Sequence, residues 1–192
     1  MMLCGCYSVR VSEPPRTALE QALLSRSSDL AWQDIDLHWV SGRKIYVEDK
    51  YFDSYDKGYV ISLIRQHLSE SGALMMKTDD KADVIVEIRS GGLGMNTSET
   101  LVGLPALTVP VPLSGALQTP ELAFYKSQKA DALGKFALFA YSRETGQYIN
   151  SVGPVSGYAH FYLYKIVGIS WRRTDVPQLQ KHPIAGQEPK PQ

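Results

Sequence analysis

Two cysteines stand at positions 4 and 6 of the opening MMLCGCYSV, and no other residue of the chain is a cysteine. Cysteines one residue apart in extended chain point to opposite sides, which lies outside disulfide geometry. Two thiols alone are also too few for a metal site. The order Leu3-Cys4-Gly5-Cys6 has a different chemistry. An aliphatic residue, a small residue, glycine and then cysteine is what the bacterial lipoprotein signal peptidase reads, and Cys6 then becomes the lipidated first residue. Such a leader also needs a charged start and an apolar run of roughly 7 to 15 residues, so this reading expects either a true start upstream of Met1 or a leader that has been trimmed. The plain alternative is a loose terminus with two free thiols. Residues 1–16 are read as a truncated signal with its lipobox and a Pro-containing spacer.

Other residues offer weaker chemistry. Ser90-Gly91-Gly92-Leu93-Gly94 follows a strand and could cradle a phosphate, but it fits neither GxGxxG nor the Walker pattern. The expected role of these glycines is to let the chain bend out of the sheet. Asp49, Asp53 and Asp56 lack the alternating ligands and the bend glycine of a calcium loop, and helix capping accounts for at least one of them. His38, His67, His160 and His182 form no HxH or HExxH pair, so no metal site is expected. Ser156 in GPVSGY sits outside any GxSxG elbow and reads as a turn residue. No catalytic residue and no cofactor are assigned.

Composition narrows the classes. Lys and Arg number 20, as do Asp and Glu, so no net field favours nucleic acid. The charge-free segment Leu101–Pro120 contains Pro105, Pro110 and Pro112 and cannot form a regular helix, membrane-spanning or otherwise.

The elements that must position these residues follow from pattern. Thr17 and Glu20 have capping-box spacing, and Leu19, Leu23, Leu24, Leu30 and Ile35 recur at helical intervals to about Asp34. Lys44–Glu48 reads as a strand. Asp53, Ser54 and Asp56 offer caps for a second helix with the stripe Val60, Ile61, Ile64, Leu68 and a stop at Gly72. Strands are expected at Ala73–Lys77 and at Ala82–Arg89, the latter with Val84, Val86 and Ile88 on one face. Two more are expected at Leu122–Lys129 and Lys135–Ser142, with a hairpin turn at Arg143–Gly146 and a return over Gln147–Val152. Tyr158–Trp171 is compatible with strand or short helix. The fold class is therefore α/β (α+β), a mixed β-sheet with helices packed on it, forming one domain over 17–174 before a flexible Pro-rich tail, 175–192, that contributes nothing to the core.

The segments PPRTALEQALL, GRKIYVEDKYF, YVISLIRQHLSESGALM, KADVIVEIRSGGLGMNTSETLVGLP and KFALFAYSRETGQYINSVGPVSG resemble a family of uncharacterised bacterial envelope lipoproteins. More distantly, the order of elements is similar to the α/β domain of the curli secretion lipoprotein CsgG, the LpoB-type lipoproteins and the amino-terminal domain of TolB. The resemblance implies a CsgG/TolB-N-like sandwich and a role as an interaction module in the cell envelope, at the outer membrane facing the periplasm. It departs from CsgG in lacking the two long amphipathic hairpins that build that barrel.

The apolar segment 101–120 is the main functional lead. A solvated loop is normally polar, so Leu101, Val102, Leu104, Leu107, Val109, Val111 and Leu113 must cover something. The candidates are this domain's own sheet, an envelope protein partner or second copy, and the bilayer beside the lipid on Cys6. The expected function is a non-enzymatic envelope lipoprotein that acts as an assembly module. The rival is a soluble ligand-binding or hydrolytic domain using the glycine-rich loop and His160.

Overall fold

The computed structural model describes residues 16–33, 35–54, 56–104, 107–111, 115–119, 122–167 and 169–181. The fold is mixed α/β. Helix α1 (Ala18–Trp32) and helix α2 (Lys57–Glu70) accompany strands β1 (Lys44–Glu48), β2 (Leu74–Met75) and β3 (Val84–Leu104). Strands β4 (Thr108–Val111), β5 (Gly115–Gln118), β6 (Leu122–Ser142), β7 (Tyr148–Ile166) and β8 (Ile169–Thr174) follow, and a short helix, α3 (Pro177–Lys181), closes the described chain. Six strands form one sheet in the order β2-β1-β3-β6-β7-β8, and β4 pairs with β5. The chain divides into two compact units, 22–96 with 131–159, and 97–130 with 160–192 and the amino-terminal residues.

The first of these units holds the core. Strand β1 runs parallel to both β2 and β3, with Val47 beside Val86, and α2 is the crossover that parallel neighbours require. Val60, Ile64 and Leu68 on α2 are buried, at the i, i+4, i+8 spacing that puts them on one face. They meet Ile45, Val47, Val84, Val86 and Ile88 from the sheet. Trp32 of α1 and Phe52 each stack with Phe136 of β6, with centroids 6.0 and 5.8 Å away. Each such pair adds about 0.5–1.5 kcal/mol beyond its burial.

Helix ends follow local chemistry. The Thr17 hydroxyl accepts the Glu20 N–H at 3.1 Å, which is half of the capping box. Helix α2 stops in a Schellman arrangement: the Gly72 N–H donates to Ser69 O, the Ala73 N–H donates to Leu68 O, and Gly72 takes φ +92°. Asp56 occupies the N-cap of α2 without a side-chain cap bond. Helix α1 lies directly on the sheet, because a Cβ on Gly157 of β7 would collide with Ser27 O and Ala31 N.

Several expectations need correction. Ser90–Gly94 does not bend out of the sheet but continues β3. Only the start of β3, Val84–Glu87, pairs with β1, so the glycines lie where no outer neighbour crowds them. Ala130–Gly134 does not separate two strands, since β6 runs unbroken and its Ala130 and Ala132 are buried. Strand β7 passes through Pro154, which is tolerated because β8 pairs only with Phe161–Ile166 and leaves that side of β7 open. Tyr158–Trp171 is strand on both sides of a turn. Asp175 and Val176 are not tail: Val176 and Leu179 are buried, and Asp175 accepts the His160 N–H at 2.8 Å. Residues 182–192 lie outside the described chain.

The segment 101–120, expected as a loop, is instead part of a long hairpin. Arg143 N–H donates to Asp83 O and Thr119 N–H donates to Leu107 O. From Asp83 to Leu107 is 24 positions forward, and from Arg143 to Thr119 is 24 back. The segment from β3 into β4 and the segment from β5 into β6 are thus antiparallel arms whose register is the same at both ends. It carries on to Val111 opposite Gly115.

Candidate partner-binding surface

In the unit containing 97–130 and 160–192, the ends of four strands gather large apolar side chains that no other element among the described residues covers. Val102 and Leu104 end β3, Leu122 and Phe124 begin β6, and Ile166, Val167 and Ile169 form the turn from β7 to β8; all are exposed. Backbone geometry makes them neighbours. A Cβ on Gly103 would strike Leu122 O, Val167 N–H donates to Phe124 O at 3.1 Å, and Ile166 stands opposite Ile169. Phe124 is 69% exposed and Ile169 73%, values that a side chain serving its own core would not have. Among the described residues of the other unit, exposed large apolar groups are mainly tyrosines (Tyr51, Tyr59, Tyr148, Tyr158), with Leu74 and Leu133.

The expected segment 101–120 therefore contributes to a surface, but not as a loop. Leu101 is half-buried in β3, and Leu104 and Leu107 are exposed. Val109 and Val111 belong to β4, opposite Leu117 and Gly115. Leu113 lies outside the described residues, as do Cys6 and His182. Strand formation has a simple cause: alternating β-branched residues satisfy the backbone by pairing where prolines forbid a helix. Thr119 closes the base of this hairpin, its hydroxyl accepting the Leu107 N–H at 2.9 Å.

Sequence reasoning missed Leu122, Phe124, Ile166, Val167 and Ile169 as surface residues. One signal was present. Ile166-Val-Gly-Ile169 has no polar residue in it, and Val167 takes φ +45° there, an uncommon conformation for a β-branched side chain.

Behind the apolar ends the chemistry changes. Tyr164 stacks on Trp171 at 5.6 Å, His160 and Tyr162 lie 5.0 Å apart, and Lys129 sits 5.9 Å above the Tyr162 ring. Asp175 holds His160 twice, through its backbone N–H and by an Nδ1 to Oδ2 approach of 3.5 Å. Lys126 reaches Glu99 at 2.9 Å, and this bond, ahead of the opposing effect of burial, holds the Glu99 carboxyl below the usual range.

The weaker candidates are dispersed. Lys57 takes Asp49 at 3.0 Å, while Asp53 is exposed. Among the described residues no group of acidic, His or Cys side chains gathers as a metal site would. His38 is almost fully exposed beside Asp36, and His67 stands 4.0 Å from Glu70. A shallow open depression of about 620 Å³ lies between Ile35–His38 and Glu70–Gly72. Ser156 is exposed on β7. Gly91, Gly92 and Gly94 are strand residues, so their amides do not form a phosphate loop. Among the described residues no helix is long and apolar enough to cross a membrane.

No curated protein matches the chain. Residues 2–171 match a family of unknown function, DUF6655. The chain belongs to that family.

Proposed function

We propose that this chain is a non-enzymatic lipoprotein of the bacterial cell envelope, held by lipid on Cys6 and acting as an interaction module at the outer membrane, facing the periplasm. The observation that carries the reading is the cluster of exposed apolar residues at the ends of β3, β6 and the β7–β8 turn. Uncovered aliphatic and aromatic side chains on neighbouring strand ends are costly in water, and proteins keep such patches where something binds. The lipobox order at Leu3–Cys6 supports the anchor. An anchored chain needs no net charge to find its partners, because confinement raises their effective concentration.

Two measurements test it. Mass spectrometry of the amino-terminal peptide of the protein made with its natural leader should find lipid on Cys6; an unmodified cysteine would refute the anchor. In the Cys6→Ser chain, which carries no lipid, Leu107→Asp combined with Phe124→Asp should leave the melting temperature unchanged and abolish association with the envelope fraction or with further copies. If these side chains only cover their own sheet, burying two carboxylates should cost several kcal/mol, roughly 2 to 7 for each polar group left unpaired. That loss, with association unchanged, would remove the interaction reading.

A further inference from the structure

We infer that the partner of this apolar end is the lipid–water interface of a bilayer, an inference that rests on the interaction reading above and names the occupant of its surface.

The argument is the order of side-chain chemistry along the strands. At the end of β7 and β8, Phe124, Val167 and Ile169 present aliphatic and phenyl groups only, and the hairpin that continues past them has no charge from Leu101 to Pro120. Glu121 ends that run in sequence and lies outside the described residues. One step back along β7 and β8, Lys165 faces Ser170. The next pair is Tyr164 with Trp171, stacked. Then come Arg172 opposite Leu163 and Arg173 opposite Tyr162. Apolar tip, then lysine, tyrosine and tryptophan, then arginine is the sequence of environments a bilayer offers with depth: hydrocarbon, an interface that favours Trp and Tyr, and anionic headgroups.

A second copy fits less well. Lys165, Arg172 and Arg173 have no carboxylate partner among the described residues, while two acids of the same unit are committed, Glu99 to Lys126 and Asp175 to His160. Bringing two such ends together would oppose two basic collars, which costs several kcal/mol unless something intervenes. Anionic headgroups instead complement them.

Docking stops at the interface for one copy. The outer side of β3 beyond Glu87 has no paired strand among the described residues, and unpaired backbone groups are not tolerated in hydrocarbon.

The experiment uses the full chain with Cys6→Ser, so that no lipid contributes, and vesicles of phosphatidylethanolamine with phosphatidylglycerol. The chain should sediment with these vesicles and bind more weakly when phosphatidylcholine replaces the anionic lipid. Phe124→Asp with Ile169→Asp should lower partitioning at least about tenfold without changing the melting temperature, because the apolar contribution to interfacial binding is removed. Arg172→Gln with Arg173→Gln should abolish the preference for anionic vesicles. Failure of the unlipidated chain to sediment, or equal sedimentation of the Asp variant, would overturn the inference. Self-association without vesicles that needs Phe124 and Ile169 would overturn it in favour of a second copy. Lipid on Cys6 is measured separately by mass, so a failed anchor and a failed docking surface give different results.

Discussion

Gly157→Ala tests how α1 is held. The helix contacts the backbone of β7 so closely that a methyl group at position 157 would overlap Ser27 O and Ala31 N. Both are main-chain atoms of a hydrogen-bonded helix, so neither can swing aside as a side chain would. Relief requires α1 to move as a body, which would shift Leu23, Leu24 and Trp32, all nearly inaccessible, off the sheet. Overpacking of this kind costs about 1–3 kcal/mol when side chains can adjust, and with backbone on the other side the loss should reach at least about 3 kcal/mol. Gly94→Ala is the control, since a Cβ there meets nothing within 4 Å and needs no unusual backbone; its effect should stay within about 0.5 kcal/mol. Urea titration of both variants, read by circular dichroism with the slope checked for constancy, measures the difference. A Gly157→Ala protein within 0.5 kcal/mol of the parent, about the spread of a neutral surface change, would mean that α1 is not seated on β7 as described.

Ile64→Ala and Val86→Ala should each destabilise by about 2 to 4 kcal/mol in the same titration, because Ile64 is 1% and Val86 0% exposed; losses below about half a kcal/mol at both would show the faces of α2 and β3 to be misassigned. Burial first, and then the hydrogen bond its hydroxyl donates to Asp29 at 2.6 Å, push Tyr59 from 10.0 up to about 12. The unfolded chain therefore loses this proton before the folded one, so the contribution is complete below pH 10.0 and disappears as pH approaches about 12; Tyr59→Phe should lack that part of the alkaline decline. The Glu99 carboxyl, held down chiefly by Lys126, gives the opposite case. Its contribution is present above its ordinary value and is lost as pH falls through the lowered one, so Glu99→Gln should flatten the acid side of a stability profile.

What was legible in the sequence was local. The Val60, Ile64, Leu68 stripe and the Gly72 stop carry their structure in their spacing, and the alternation of Val84, Val86 and Ile88 gives their common face. Extent was harder to read. Gly91 and Gly92 look like a break because glycine weakens strands, but a Cβ at Gly91 would come within 2.9 Å of Lys135 Cγ, so the residue serves close approach of β6 rather than escape from the sheet. Pro154 looks like an end because it cannot donate, and only the tertiary fact that β8 stops short of it explains its tolerance. The candidate surface was half visible for the same reason. Leu104 and Leu107 stood out within a charge-free run, whereas Phe124, Val167 and Ile169 join them through pairings between residues more than 40 positions apart in Phe124 and Val167, which no window of sequence contains.

The common register at the two ends of the long hairpin sets a rule for how its length can vary. A deletion in one arm alone would leave the arms unequal and force a bulge. One residue removed from each arm would keep the pairing, yet turn every side chain beyond the cut to the opposite face, because the side-chain period is two. Removing two from each arm would shorten the hairpin by about 7 Å, at roughly 3.3 Å per residue, and leave both faces as they were. Related chains with longer or shorter versions should therefore differ by an even number of residues in each arm, equal in the two arms.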